Sequence, residues 1–212
     1  MSASFLQRYD VNEGKSSKGV ILVDMDNTIV DYSSAIAPEL KKIYPTMKID
    51  AENWQTLKLN DLHLNRRKIQ SRPNFFSELK PIPGALEALR QMEKEGYTVF
   101  IVSSPSVHGT TCHSEKSQWL KEHMNEKWAK RLVLTKDKTI VRGDVLIDDK
   151  PFITGTVSPN WKHITFSQPY NRHLNDEGRI HLKNWENWES SVREAMNYKQ
   201  DDKGNEECNL NK

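Results

Sequence analysis

The stretch Val20-Ile21-Leu22-Val23-Asp24-Met25-Asp26-Asn27-Thr28, or VILVDMDNT, joins four apolar residues to two carboxylates that are one residue apart. A short apolar run of this kind predicts a strand that is buried on both faces, as inside a parallel sheet. Side chains two residues apart on an extended segment point the same way. We therefore expect Asp24 and Asp26 to project together from the end of this strand.

Segments with strand and helix patterns alternate along the rest of the chain. Strands are predicted at 97–102, 132–134, 145–147 and 163–166, and helices between Gly84 and Gly96, around 115–124 and from about Asn184. This alternation predicts an α/β sandwich with a mostly parallel sheet.

The apolar patterning also divides the chain. A core is predicted over 19–32 and 81–199, and residues 33–80 form an insert of helical pieces with Pro38 and Pro45 as breaks. The polar ends, 1–18 and 200–212, are expected to be loosely ordered.

The composition excludes several classes of protein. The chain has 212 residues, with 31 basic and 29 acidic side chains, and this near balance gives no electrostatic footprint for a nucleic-acid polymer. Two cysteines do not indicate a disulfide framework, and no apolar run reaches the length of a membrane span. The N-terminus has no apolar signal core, so we expect a cytoplasmic location.

Two further predicted strands also end in polar pairs, Ser103-Ser104 and Asp148-Asp149. Right-handed crossovers would bring these pairs to the same sheet edge as Asp24, where open α/β sheets bind their ligands. Carboxylates gathered there repel one another unless a cation lies between them, and an oxygen-only ligand set favours Mg²⁺.

This combination of groups suits phosphoryl transfer. Asp24 can attack phosphorus, and Asp26 can move the proton of the leaving oxygen and later of water. The two serines can donate hydroxyls to the phosphate, although serines at such positions also cap helices. Lys138 and Lys116 are both candidates for a fixed positive charge.

Three segments resemble the haloacid dehalogenase-like phosphohydrolases: DMDNT, the SSP after a hydrophobic strand, and LIDDK. Longer segments are similar to the 5′(3′)-deoxyribonucleotidases of that superfamily, namely VDMDNTIVDY, NFFSELKPIPGA, VFIVSSP, LVLTKDKT and VLIDDKPFITG. The resemblance covers most of the chain, from about Val20 to Trp188. It implies a Rossmann-like three-layer sandwich with a small helical cap inserted after the first strand, over 33–80.

The resemblance also implies site roles. Asp24 would be the nucleophile and Asp26 the acid/base, and the Mg²⁺ ligands would be Asp24, Asp149 and the backbone carbonyl of Asp26. The residues that would contact the substrate are Ser103, Ser104, Lys138 and, packed on the base, Tyr32. Lys116 matches a second lysine of the family, and the choice between the two lysines stays open.

The same resemblance implies a nucleoside monophosphate as the small-molecule partner, no nucleic-acid polymer, no membrane, and a homodimer. The cap matches worst: Gln70 stands where a Trp is expected, and Lys150 replaces an Arg after the acidic pair. An alternative is therefore a phosphatase for another small phosphomonoester, such as a sugar phosphate. A binding protein that has lost catalysis is a third hypothesis.

The run from His108 to His113 is interpreted as a loop near the site and not as a transition-metal site.

Overall fold

Six strands form one sheet in the computed structural model, which describes residues 17–106, 109–174 and 178–197. They are β1 (Val20–Val23), β2 (Thr98–Ser103), β3 (Leu132–Leu134), β4 (Val145–Asp148), β5 (Lys162–Phe166) and β6 (Ile180–Leu182). The order is β3-β2-β1-β4-β5-β6, and every neighbouring pair is parallel. The predicted α/β fold with a mostly parallel sheet is confirmed.

Helices occupy the connections. They are α1 (Tyr32–Ile43), α2 (Leu62–Gln70), α3 (Ala85–Lys94), α4 (Cys112–His123), α5 (Glu126–Ala129) and α6 (188–197). Short 3₁₀ helices lie at Trp54–Thr56, Lys138–Ile140 and Trp185–Asn187. Among the described helices, none has the length and apolar character needed to span a membrane.

Strand β1 lies in the middle of the sheet because its sequence is apolar on both faces. Ile21 and Val23 join the larger hydrophobic cluster, whereas Leu22 joins a smaller cluster on the opposite face with Trp161. Val23 is in register with Ile101 of β2 and Ile147 of β4. The residue after Val23 therefore lies beside the polar ends of both neighbouring strands.

Two details differ from the sequence predictions. Pro38 was expected to break a helix, but it lies inside α1. The helix continues through it because Asp31 caps its start by accepting the Ser34 backbone N–H at 2.9 Å, and because its apolar face is buried. Strand β6 was not predicted, since three residues with the pattern Ile-His-Leu give too short a signal.

The insert packs on the same apolar core as the sheet. Trp54, Ile69 and Phe76 belong to the large cluster that also holds Ile21 and Val23 of β1. The division into a core and a cap over 33–80 stays a prediction. Of the predicted loose ends, residues 1–16 and 198–212 lie outside the described residues, and Lys18 donates its backbone N–H to Gly96 at 2.9 Å.

Candidate active site

Three carboxylates meet at the edge of the sheet. Asp24 follows β1, Asp148 ends β4, and Asp149 is next to it; their exposed fractions are 5%, 0% and 6%. One carboxylate oxygen from each lies within 4.8 Å of the others. The predicted convergence of strand ends therefore places these side chains together, with Ser103 at the end of β2.

A tight turn after Asp24 directs the chain out of the sheet. The backbone N–H groups of Ile29 and Val30 donate to the Met25 carbonyl, at 2.9 and 3.0 Å. Asn27 takes a left-handed conformation with φ of 58°, which asparagine tolerates better than most residues. Its side-chain oxygen accepts the Ser33 N–H at 2.8 Å, so the turn leads directly into α1.

The two candidate lysines reach different carboxylates. Lys138 donates to Asp24 and, at 2.5 Å, to Asp148. Burial lowers the pKa of Lys138, but the two carboxylates outweigh burial and the net pKa is raised. Lys138 therefore stays charged beside the predicted nucleophile.

Lys116 lies on the other side of the site. Its ammonium donates to Asp26 Oδ2 at 2.6 Å and to Ser103 Oγ at 2.8 Å. Lys116 is completely buried, whereas the Asp26 side chain is 29% exposed. Sequence patterns could not separate the two lysines, because the distinction lies in which carboxylate each one reaches.

Asp149 has an environment that opposes its charge. Burial, and then the charges of Asp148 and Asp24, raise its pKa well above the usual range. The hydroxyl of Tyr170 donates to Asp149 Oδ2, and the Asn171 side chain donates to the Asp149 carbonyl at 2.6 Å. Tyr170 and Asn171 were not predicted, because they lie on a connecting segment with no motif around them.

The carboxylates of Asp24, Asp148 and Asp149 are suitable ligands for a hard cation. Three buried carboxylates offer only oxygen atoms. Burial, and then the charges of the neighbouring carboxylates, raise the pKa values of Asp148 and Asp149, and a cation would relieve the repulsion. Lys138 bonds both Asp24 and Asp148, but Asp148 is 0% exposed, whereas Asp24 and Asp149 keep exposed fractions of 5% and 6%. Asp24 and Asp149 are therefore the two carboxylates best suited to hold a metal ion.

A cavity of about 330 Å³ opens over this edge. It is lined by the predicted residues Asp24, Asp26, Tyr32, Ser104 and Asp149, and by Asn27, Trp54, Gln55, Arg66, Gln70, Phe76, Pro105, Ser106, Lys150, Pro151 and Tyr170. Ser103 and Lys138 lie behind this lining, with exposed fractions of 1% and 2%. One end of the cavity is acidic, and the other is aromatic.

The aromatic end is built by the insert. The Tyr32 hydroxyl donates to Gln70 Oε1 at 3.0 Å, and Gln70 Nε2 donates to Ser106 at 3.0 Å. Trp54 is fixed by a 3.0 Å hydrogen bond from its indole nitrogen to Ser33. The position where a Trp was expected thus carries an amide that connects α1 and α2 to the segment after β2.

The run from His108 to His113 was interpreted as a loop, but its last two residues belong to α4 (Cys112–His123). Cys112 is buried and begins α4, and its sulfur accepts the Ser106 N–H at 3.3 Å. His113 is exposed, and His108 lies outside the described residues.

Comparisons with known proteins show the family to which the chain belongs. The model of a family described as 5′ nucleotidase, deoxy (pyrimidine), cytosolic type C matches residues 18–197. The cytosolic 5′(3′)-deoxyribonucleotidase of Homo sapiens is 35% identical over 182 residues, which cover 79% of this chain and 90% of that protein. The human mitochondrial 5′(3′)-deoxyribonucleotidase is 33% identical over 183 residues, 80% of each chain.

A solved haloacid dehalogenase-like family hydrolase from Xanthomonas campestris is similar in fold, with a TM-score of 0.50, 14% identity, and coverage of 88% of this chain and 99% of that one. This likeness shows that the chain has the fold of a haloacid dehalogenase-like hydrolase. The family model and the relatives named as nucleotidases confirm the expected enzyme class, a phosphoric monoester hydrolase. Within that class, the chain belongs to the 5′ nucleotidase, deoxy (pyrimidine), cytosolic type C family, because the family model spans most of its length.

Proposed function

We propose that this protein is a Mg²⁺-dependent 5′(3′)-deoxyribonucleotidase that hydrolyses deoxynucleoside monophosphates to nucleoside and phosphate. The observation that carries the proposal is the cavity, in which Asp24, Asp26 and Asp149 face a set of aromatic side chains. The relatives' names support the nucleotide substrate.

In the first step, a carboxylate oxygen of Asp24 attacks phosphorus. The bond between phosphorus and the leaving oxygen breaks, and that oxygen takes both electrons and a proton from Asp26. The products of this step are the nucleoside and a phosphorylated Asp24. Lys138 is positioned to offset charge, because it already donates to Asp24.

In the second step, Asp26 accepts a proton from water, which attacks the same phosphorus. The bond to Asp24 breaks, and inorganic phosphate and the free carboxylate are restored. Ser104 lines the cavity and can donate its hydroxyl to the phosphate. Ser103 lies directly behind it and is the less accessible of the two.

The metal would be held by the Asp24 and Asp149 carboxylates, with the Asp26 carbonyl as the third ligand that the resemblance implies. Mg²⁺, when bound, supplies Lewis-acid stabilisation of phosphate oxygens. Lys150 lines the same end of the cavity and adds a positive charge there.

The insert supplies the proposed nucleoside pocket. Tyr32, Trp54 and Phe76 line the cavity and offer flat faces to a planar base, and Gln70 offers an amide in place of a further ring. A sugar phosphate remains the second candidate, because Gln70, Gln55 and Arg66 also place polar groups in this wall. The homodimer and the cytoplasmic location that were expected from the sequence stay predictions.

Phosphate release would test the proposal. Paired ribo- and deoxyribonucleoside 5′- and 3′-monophosphates and several sugar phosphates are assayed with Mg²⁺ and with EDTA. We expect Mg²⁺-dependent release that is concentrated on deoxyribonucleotides. Release spread evenly over all phosphates would favour the second candidate, and no release from any of them would favour a binding protein.

The nucleophile has its own test. Asp24→Asn removes the attacking carboxylate, and we expect phosphate release to fall by at least about 10⁴-fold, because the covalent route is lost. Asp31→Asn, at the start of α1 and outside the cavity lining, is the matched control. Retained activity in a folded Asp24→Asn protein would exclude Asp24 as the nucleophile.

A further inference from the structure

The buried ammonium group of Lys116 contacts other protein side chains. Its ammonium contacts Asp26 Oδ2 at 2.6 Å and Ser103 Oγ at 2.8 Å, and it lies 4.9 Å from the centroid of the Phe76 ring. Two of its three N–H donors go to these oxygens, and the ring face of Phe76 is a further favourable contact for the charge. The Lys116 side chain is 0% exposed and does not line the cavity. It is therefore separated from the space in which a phosphate would bind.

Asp26 is held asymmetrically by this contact. Oδ2 accepts the Lys116 bond, whereas Oδ1 is buried and has no hydrogen-bond partner among the described residues. A buried acceptor without a partner is rare in folded proteins. The Asp26 side chain is 29% exposed and lines the cavity, so its carboxylate can meet an incoming oxygen that carries or needs a proton.

We propose that Lys116 is a positioning residue: it fixes the orientation of the Asp26 carboxylate at the cavity wall, so that this carboxylate can exchange the proton with the leaving oxygen. This inference rests on the proposed hydrolysis. Lys116 does not line the cavity in which the phosphate and the metal are proposed to bind, and it acts through Asp26. The two lysines thus have different roles: Lys138 donates to the proposed nucleophile Asp24, and Lys116 donates to the proposed acid Asp26.

The leaving group distinguishes this role from a structural one. A nucleoside oxygen must gain a proton to depart, whereas p-nitrophenolate departs without one. The parameter kcat/KM reports only the steps up to release of the first product, so the later use of Asp26 as a base does not enter it.

We would measure kcat/KM of Lys116→Met with a deoxynucleoside monophosphate and with p-nitrophenyl phosphate. We expect a loss of about 100-fold or more with the nucleotide and less than about tenfold with the aryl ester. Lys121→Met is the matched control, because Lys121 lies on the same helix with its side chain 54% exposed, and it should leave both values unchanged. Equal losses of Lys116→Met with both substrates would overturn the proposal.

A double-mutant cycle covers the case in which Lys116→Met folds poorly, since Asp26→Asn/Lys116→Met leaves no uncompensated charge. If Lys116 acts through Asp26, its substitution in the Asp26→Asn background should change nucleotide kcat/KM by less than about threefold. The same loss in both backgrounds would contradict the proposal. A wild-type protein that hydrolyses neither substrate would refute the proposed function itself.

Discussion

Tyr170 acts on the site through a single hydroxyl group. Burial, and then the charge of Asp149, raise the pKa of Tyr170, so this hydroxyl stays protonated and donates to Asp149. Partners that orient a metal-binding carboxylate affect metal affinity although they do not touch the ion. We expect the Tyr170 hydroxyl to orient the Asp149 carboxylate in this way in the proposed Mg²⁺ site.

Tyr170→Phe should therefore weaken the response to magnesium. We expect the Mg²⁺ concentration for half-maximal phosphate release to rise about 10- to 100-fold, while the fold is unchanged. A magnesium titration of the activity would measure this, with Tyr97→Phe as the control, because Tyr97 packs against Trp188 and lies outside the cavity lining. An unchanged Mg²⁺ requirement would show that Asp149 does not depend on this hydroxyl.

The site residues whose positions the sequence could predict lie at or just after the ends of strands. Asp24, Ser103 and Asp149 could be predicted because an apolar run fixes where a strand ends and parallel strands end at one edge. Tyr170 could not be predicted, because its contact depends on the path of the segment that follows β5. Lys116 was named, but its partner depends on how deeply α4 is buried, which a helix with a weak apolar pattern does not reveal.

Among the elements, α4 connects the sheet to the insert through Glu115. Its carboxylate accepts the backbone N–H groups of Asn74 and Phe76, each at 2.8 Å. Both bonds fall on the segment by which the chain returns from the insert to the core. Asn74 has a left-handed φ of 69°, so this carboxylate stabilises a backbone turn that is otherwise unfavourable.

Glu115→Gln keeps the size of the side chain but replaces one acceptor oxygen with a donor. One backbone N–H then loses its partner, and we expect the free energy of unfolding to fall by about 1–3 kcal/mol. Denaturant unfolding measures this change. Glu122→Gln on the same helix is the control and should change stability by less than about 0.5 kcal/mol, since it lies on the exposed face. Equal stabilities of the two variants would show that the contact contributes nothing.

The strands of the core were predicted more closely than the elements of the insert. β3 was predicted at its observed bounds, and β4 and β5 within one residue, because a buried parallel strand is a short, nearly continuous apolar run. The helices of the insert mix apolar and charged positions, and in α2 only Ile69 is buried. Its packing comes from tertiary contacts that local periodicity does not report.

At the scale of the whole molecule, His163 makes stability depend on pH. Burial, and then the charge of Arg179, lower the pKa of this β5 side chain from 6.5 to about 4. The unfolded chain takes up the proton near pH 6.5, whereas the folded protein resists it down to about pH 4. Protons therefore favour the unfolded state between these values, and stability is lost as the pH falls through that window.

His163→Gln should remove the part of the pH dependence of stability that His163 causes. We expect the wild-type protein to lose about 2–3 kcal/mol more than the variant between pH 7 and pH 4. Denaturant unfolding of both proteins across that range measures the difference. Asp148 and Asp149 have raised pKa values that act in the opposite direction, but they are common to both proteins and cancel. Parallel pH profiles would contradict the prediction.

The strand order also determines when the site can form during synthesis. β1 is made first, yet its two neighbours in the sheet begin at Thr98 and Val145. A ribosome therefore releases the apolar run VILV long before any partner strand exists, and closing such distant pairings is slow. Nascent chains that stop before β4 expose this run at an unpaired edge, which makes them prone to aggregation. Assembly of the acidic edge is consequently a late event that requires nearly three quarters of the chain, and truncated products are expected to be cleared as insoluble material.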